Sequence, residues 1–156
     1  MTMKAILNPM SVCLLIVMIV LTQSVPASAA NPSPVGLWKT LDDKTGEPKS
    51  FIKVWIDKDE LFGRIEKLVL KPGENPHPLC DECSGDKKDK PVIGMTVLWG
   101  LKQEGQMWSG GFVLDPDNGT TYNSKVEVID GGGKLEVRGF IGLSLFGRTQ
   151  TWMRAE

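Results

Sequence analysis

Histidine is nearly absent from this 156-residue chain, and its scarcity limits the chemistry that the chain can perform. His77 is the single histidine, which excludes any catalytic or metal-binding arrangement that needs two imidazoles. The sequence also lacks the Gly-x-Ser-x-Gly turn that carries the nucleophile of α/β-hydrolases. No catalytic residue can be assigned on this basis, so the sequence favours a non-catalytic protein that uses no cofactor.

A surplus of basic residues is missing as well. Lysine and arginine number 18 against 19 aspartates and glutamates, which gives a formal net charge of −1 at pH 7. Domains that bind nucleic acid present a strongly basic face to the phosphate backbone. The charge balance therefore argues against a nucleic-acid partner.

Apolar runs long enough to cross a membrane are also lacking. Residues 11–21 (SVCLLIVMIVL) form an uncharged run of 11 residues, whereas a membrane-spanning helix needs about 20. Lys4 precedes this run and the small residues of 27–30 (ASAA) follow it, which is the order of a secretory signal. The sequence predicts a signal peptide over residues 1–29 and a mature chain that starts at Ala30 or Asn31. Residues 30–156 would then form one β-rich domain without a transmembrane span, located in the periplasm or secreted.

Cysteines are few, and Cys13 lies inside the predicted signal peptide. Cys80 and Cys83 remain, and in an oxidising compartment such a pair usually forms a disulfide. A zinc site could use His77, Cys80 and Cys83, but structural zinc prefers four nitrogen or sulfur ligands, so a carboxylate such as Asp86 would have to complete it. A redox centre would need a helix that begins at the first cysteine, and no helical pattern follows it here. The remaining interpretation is a pair of free thiols. We expect a disulfide and no bound metal, and we keep an enzyme or metal protein built on this loop as the alternative.

Helical periodicity is lacking after residue 30, and short β-branched and aromatic runs alternate there with turn residues. These runs predict about eight strands, at residues 35–41, 50–56, 61–70, 92–101, 107–114, 120–129, 134–141 and 148–154. The run at 92–101 is apolar on both faces, so a short helix is an alternative there. The proline-rich stretch at 71–91 is predicted to be a long irregular loop. The fold expected is mostly β: a small antiparallel up-and-down barrel of the calycin type, or a strongly curved sheet of about eight strands.

Aromatic residues are concentrated in five tryptophans. Their ordinary role is core packing, and the alternative is the wall of an apolar pocket. Trp99 and Trp108 stand next to glycines, which would leave room beside the rings, and with Trp55 they are the candidate ligand-binding residues. The expected partner is a small apolar ligand or an envelope protein. Residues 143–146 (LSLF) replace a polar turn with an apolar one, which would either plug one barrel end or form an exposed patch.

Several short motifs occur in an order that resembles a family of exported bacterial proteins. They are Val35-Gly36-Leu37-Trp38-Lys39-Thr40, Cys80-Asp81-Glu82-Cys83, Ile93-Gly94-Met95, Trp108-Ser109-Gly110-Gly111, Asp115-Pro116 with Gly119 and Tyr122, and the stretch from Leu135 to Gly142 followed by Trp152 and Arg154. In this order they resemble the family named domain of unknown function 2147. The resemblance spans the mature chain and implies export and a compact domain, without a mechanism.

A looser resemblance links the chain to the lipocalins. Lipocalins carry a Gly-x-Trp in their first strand, here Gly36-Leu37-Trp38, and a basic residue near the chain end that packs on the tryptophan. The resemblance implies a structural seam in which Arg154 lies against Trp38.

Overall fold

A computed structural model describes residues 32–155, which contain eight β-strands. The strands are β1 (Gly36–Leu41), β2 (Pro48–Asp57), β3 (Glu60–Leu68), β4 (Thr96–Glu104), β5 (Met107–Asp115), β6 (Thr120–Ile129), β7 (Lys134–Phe140) and β8 (Gly147–Arg154). Two single turns of 3-10 helix, Gly85–Lys87 and Asp130–Gly132, complete the regular structure of this part of the chain. The predicted signal peptide, residues 1–29, lies outside the described residues.

Each strand pairs antiparallel with the next along the chain, and β8 returns to pair with β1. The closing register aligns Trp38 with Arg154 and Lys39 with Met153. The sheet is therefore a closed up-and-down barrel without free edges. This confirms the predicted fold class.

The strands follow the alternation of the sequence, because successive side chains of a strand point to opposite faces. In β2, Ser50, Ile52 and Val54 are buried, whereas Lys53 between them is exposed and Trp55 is partly exposed. The buried rows of the eight strands meet inside the barrel and form one core.

One predicted strand begins later than expected. Residues 92–95 precede β4, because Gly94 takes a left-handed conformation (φ +88°) that ends extended pairing. The amide of Gly94 donates to the carbonyl of Ile65, and the carbonyl of Met95 accepts from the amide of Ile65. Val92 and Met95 are nevertheless buried. This segment is apolar on both faces because it packs on the core as a bend, and it is neither strand nor helix.

The tight turns lie at one end of the barrel. The β2–β3 turn uses Lys58 and Asp59, both at positive φ (48° and 65°), which matches the twist of the flanking strands. At the other end, the β5–β6 turn has Gly119 at φ +67°, with the amide of Asp117 donating to Asp115 Oδ1. The connection of residues 69–95 also lies at this second end. No helix among residues 32–155 has the length and apolar character needed to cross a bilayer.

Candidate functional site

The barrel contains a cavity of about 330 Å3 at the end where β1, β3, β5 and β7 finish. Most of its wall is aliphatic or aromatic. The apolar wall includes Ile52, Ile65, Leu68, Val97, Val137 and Trp152. These side chains belong to the inward rows of their strands, and Trp152, paired with Leu135, lies deepest in the barrel.

The other half of the interior is filled with side chains. Trp38, Leu61, Leu101 and Leu135 are each 0% exposed, and Trp108 is 5% exposed. Of the described residues, these five belong to the core and do not line the cavity. The barrel therefore has a packed end and an open end, and a ligand could enter only from the open one.

Two hydroxyl groups interrupt the apolar wall. Thr40 on β1 and Ser50 on β2 are paired across the strands, are each 6% exposed, and bring their side-chain oxygens within 2.7 Å. The backbone amide of Ser50 also donates to Thr40 Oγ1. Both hydroxyls line the cavity, so they can exchange a hydrogen bond with a polar group of a ligand.

A chain of hydrogen bonds connects the cavity wall to the mouth, which is the entrance to the cavity at the open end of the barrel. The indole N–H of Trp152 donates to Gln150 Oε1 at 3.3 Å, and Gln150 Nε2 donates to Asp43 Oδ2 at 3.1 Å. Asp43 also forms an ion pair with Arg148. This chain fixes the orientation of the Trp152 ring, which is 2% exposed.

The mouth carries charges of both signs. Besides the Asp43–Arg148 pair, Lys49 on β2 forms an ion pair with Asp117 of the β5–β6 turn. Both pairs are largely solvent-exposed, so each contributes little stability. Asp115 also lines the cavity, so both carboxylates and cations stand at the entrance.

The β1–β2 loop beside the mouth is held by the side chain of Asp42. Its carboxylate accepts hydrogen bonds from the backbone amides of Thr45 and Lys44. These bonds favour the charged form and lower the pKa of Asp42 below its ordinary value. The ionised carboxylate of Asp42 is therefore the form that holds this loop.

The long loop of residues 69–95 braces the β5–β6 turn. Cys80 and Cys83 form a disulfide, as predicted, and are 0% and 4% exposed. Cys80 Sγ lies 3.5 Å from the carbonyl oxygen of Pro116, a residue that lines the cavity. The amide of Cys80 donates to Lys90 O, and the amide of Asp89 donates to Cys80 O. This long loop, called the disulfide loop below, thus supports one side of the mouth.

The metal site that the sequence offered as an alternative, with His77, Cys80 and Cys83 as ligands, is not formed in this loop. The disulfide removes both sulfur atoms from any metal ligand set, and His77 is solvent-exposed. Within residues 32–155 no three histidine, cysteine, aspartate or glutamate side chains converge in a way that could hold a metal ion.

The structure places the three candidate ligand-binding tryptophans away from the cavity wall. Trp55 is partly exposed and stacks on Phe62, with ring centroids 5.7 Å apart. Val54, the preceding residue of β2, points inward and is 0% exposed, so the alternation of the strand directs Trp55 outward. Trp108 is buried in the packed half of the core.

Trp99 lies with its ring 5.8 Å from that of Phe112 and 4.6 Å from Lys87 Nζ of the disulfide loop. Gly111 serves strand packing, because a Cβ there would lie 2.3 Å from the carbonyl oxygen of Trp99. Gly100 and Gly110 instead have a left-handed backbone, with φ of +72° and +78°. The indole on the cavity wall is Trp152. The alternation of Gln150, Trp152 and Arg154 shows in the sequence that the Trp152 ring faces the interior, but not that it lines the cavity.

Comparisons with known proteins agree with this architecture. A family model described as "Uncharacterized protein conserved in bacteria (DUF2147)" matches residues 36–154. A solved structure described as protein HP1028 from Helicobacter pylori, a member of the lipocalin family, superimposes with a TM-score of 0.67 and 18% sequence identity. The superposition covers 80% of this chain and 84% of that chain. Comparison with curated proteins gave no match.

Proposed function

The chain belongs to the DUF2147 family of bacterial proteins, and from that premise and the barrel cavity we propose that it is an exported, non-catalytic module that binds a small apolar ligand. The observation that carries the proposal is the cavity that occupies one end of the barrel interior. Its volume of about 330 Å3 lies at the lower end of the roughly 300–1,000 Å3 that is typical of small-molecule sites. The lipocalin-like fold supports the same role.

The chemistry of the wall supports an amphipathic ligand with a small polar group. The apolar surface around Ile65 and Val137 gains free energy when a hydrocarbon group replaces water there. Thr40 and Ser50 provide hydroxyls for one polar group of the ligand. A short fatty acid or another compact lipid fragment meets both requirements.

A binding role is also supported by what the cavity wall contains. The side chains that line it include hydroxyls and carboxylates but neither histidine nor cysteine, and His77 is solvent-exposed. The Thr40–Ser50 pair has no adjacent general base among its hydrogen-bond partners in the described part of the chain. These features favour reversible binding over covalent catalysis.

Export is the second part of the proposal. It is supported by the signal-like order of residues 1–29 and by the Cys80–Cys83 disulfide, which is typical of oxidising compartments such as the periplasm. N-terminal sequencing of the protein from its own bacterium should begin at Ala30 or Asn31. A protein that retains residues 1–29 would contradict the proposal that the chain is exported through a cleaved signal peptide.

Native mass spectrometry tests the ligand directly. The protein is purified from the envelope of its own bacterium, and its mass is measured before and after organic extraction. We expect a small lipid-like adduct that extraction removes, and we expect the extracted protein to rebind fatty acids. A protein that carries no adduct and rebinds no fatty acid of any chain length would overturn the proposal.

A further inference from the structure

The loop between β7 and β8 exposes an unusually apolar tip. We call residues 141–146 the rim loop. Four of its six residues are large and apolar, and their exposed fractions are 65% for Ile141, 72% for Leu143, 79% for Leu145 and 70% for Phe146. The loop does not fold back to plug the barrel, which was one of the two expectations from the sequence. Apolar side chains grouped in this way usually mark a surface that something apolar covers.

Three backbone carbonyls at the tip of the rim loop accept hydrogen bonds from within the protein. The carbonyl of Leu143 accepts from the amide of Phe146 at 3.0 Å. The carbonyl of Ser144 accepts from Arg138 Nε at 2.9 Å and from Nη2 at 2.8 Å, and that of Leu145 accepts from Nη2 at 3.1 Å. A loop in water has no need of such partners, because water supplies them. In an apolar medium, an unpaired carbonyl is costly, so these bonds lower the cost of placing the tip at the surface of one.

The apolar surface of the rim loop continues into the cavity. Ile141 and Phe146, the first and last residues of the loop, also line the cavity wall. Leu143 and Leu145 lie between them at the tip and do not line it. A ligand could therefore move from whatever covers the tip into the barrel along an apolar path.

We propose that the rim loop inserts into the lipid surface of a membrane, so that the mouth of the cavity faces the bilayer. The occupant is a lipid surface because it suits both the paired carbonyls of the tip and the apolar path into the cavity. The docking step stands on the rim loop alone. The accompanying transfer of a ligand from the bilayer into the barrel rests on the proposed function.

The charges at the mouth determine how this docking responds to salt. Arg148 is paired with Asp43, and Lys49 with Asp117, whereas Arg138, which contacts the rim-loop carbonyls, forms no ion pair within residues 32–155. Binding should then depend mainly on apolar insertion, and the single cation beside the tip should add only a modest attraction to anionic lipids that salt weakens.

Vesicle flotation tests the docking surface. The mature protein is mixed with vesicles of phosphatidylethanolamine and phosphatidylglycerol, and the floated fraction is measured against lipid concentration. The double variant Leu143→Ser/Leu145→Ser removes the tip without touching the cavity wall. Ile56→Ser is the matched control, because Ile56 is a 42% exposed aliphatic side chain at the opposite end of the barrel.

We expect the wild-type protein and Ile56→Ser to float equally, in both low and high salt. The double variant should partition into vesicles about tenfold or more weakly, given the area that two leucines lose. All three proteins should have the same melting temperature and the same affinity for a fatty acid in lipid-free buffer. The double variant should accept a fluorescent fatty acid from vesicles more slowly than the control does.

Three results would overturn the docking proposal. The wild-type protein could fail to float at any lipid concentration, or the double variant could float as well as the Ile56→Ser control. The wild-type protein could instead form a dimer that the double variant breaks, without binding vesicles, which would assign the tip to a second copy of the chain. Normal flotation with no fatty-acid binding would leave docking standing and refute the proposed function.

Discussion

The guanidinium of Arg154 lies 4.1 Å above the ring of Trp38, at the seam where the last strand of the barrel meets the first. The same guanidinium donates to three backbone carbonyls, those of Gly132, Val35 and Ser33, at 2.5, 3.1 and 2.7 Å. One side chain therefore ties together the N-terminal approach to β1, the β6–β7 connection and β8. The indole below it is 0% exposed and donates its own N–H to the carbonyl of Pro34.

Replacement of Arg154 by alanine should destabilise the barrel by about 2–4 kcal/mol, because a cation–π contact and several charge-assisted hydrogen bonds are lost together. Arg154→Lys should recover only part of the loss, since lysine keeps the charge but not the planar fork. Urea denaturation followed by circular dichroism measures both. Arg64→Ala is the control, because Arg64 pairs with Glu66 and lies 5.9 Å from the ring of Trp55, with both contacts on the exposed surface. Equal effects at the two sites would show that the seam contributes no more than an exposed ion pair with a surface cation–π contact.

Gly119 should tolerate alanine far less well than Gly105 does. Both have a left-handed backbone, with φ of +67° and +65°, so each variant pays a similar conformational cost of about 1–2 kcal/mol. A Cβ on Gly119 would also lie 1.8 Å from the carbonyl oxygen of Glu82 in the disulfide loop, whereas Gly105 has no heavy atom within 4 Å of that position. We expect Gly119→Ala to lose about 1–3 kcal/mol more than Gly105→Ala in chemical denaturation. Similar losses would mean that the disulfide loop does not press on the β5–β6 turn.

Trp152 should report ligand binding in tryptophan fluorescence, because it is the indole on the cavity wall. Trp152→Phe keeps an aromatic ring there and should abolish most of the change that a fatty acid produces. Trp55→Phe and Trp99→Phe should leave the change intact, since neither ring lines the cavity. If instead Trp99→Phe removed the signal, the ligand would bind outside the barrel.

The fold was accessible from the sequence because two independent signals agreed. Alternating apolar residues marked the strands, and polar turn residues such as the aspartates and glycines of 115–119 and 130–133 separated them. Segment 92–95 was less accessible. Its burial produces an apolar pattern, but the chain direction there is set by Gly94 and by hydrogen bonds to Ile65, a residue distant in sequence.

The position of the cavity was not accessible in the same way. Which end of a barrel stays open depends on how tightly the inward rows of all eight strands pack, and local sequence does not record this. Trp108 and Trp152 both face the interior, yet one lies in the packed half and the other on the cavity wall. Gly100, at φ +72°, adds an irregularity directly after Trp99 that strict alternation does not anticipate.

The central claim is that a ligand binds in the open half of the barrel, and a cavity-filling substitution tests it most directly. Val137 is 3% exposed and lines the cavity, so Val137→Phe places a ring in the space that the ligand would take. Ile56→Phe adds the same ring outside the cavity, at the opposite end of the barrel. The measurement is a calorimetric titration of the delipidated proteins with a medium-chain fatty acid, after melting curves have shown that both variants fold. The account predicts that wild type and Ile56→Phe bind alike, and that Val137→Phe binds about tenfold or more weakly, a loss of about 1.4 kcal/mol or more. A folded Val137→Phe protein that binds the fatty acid as tightly as wild type would contradict it.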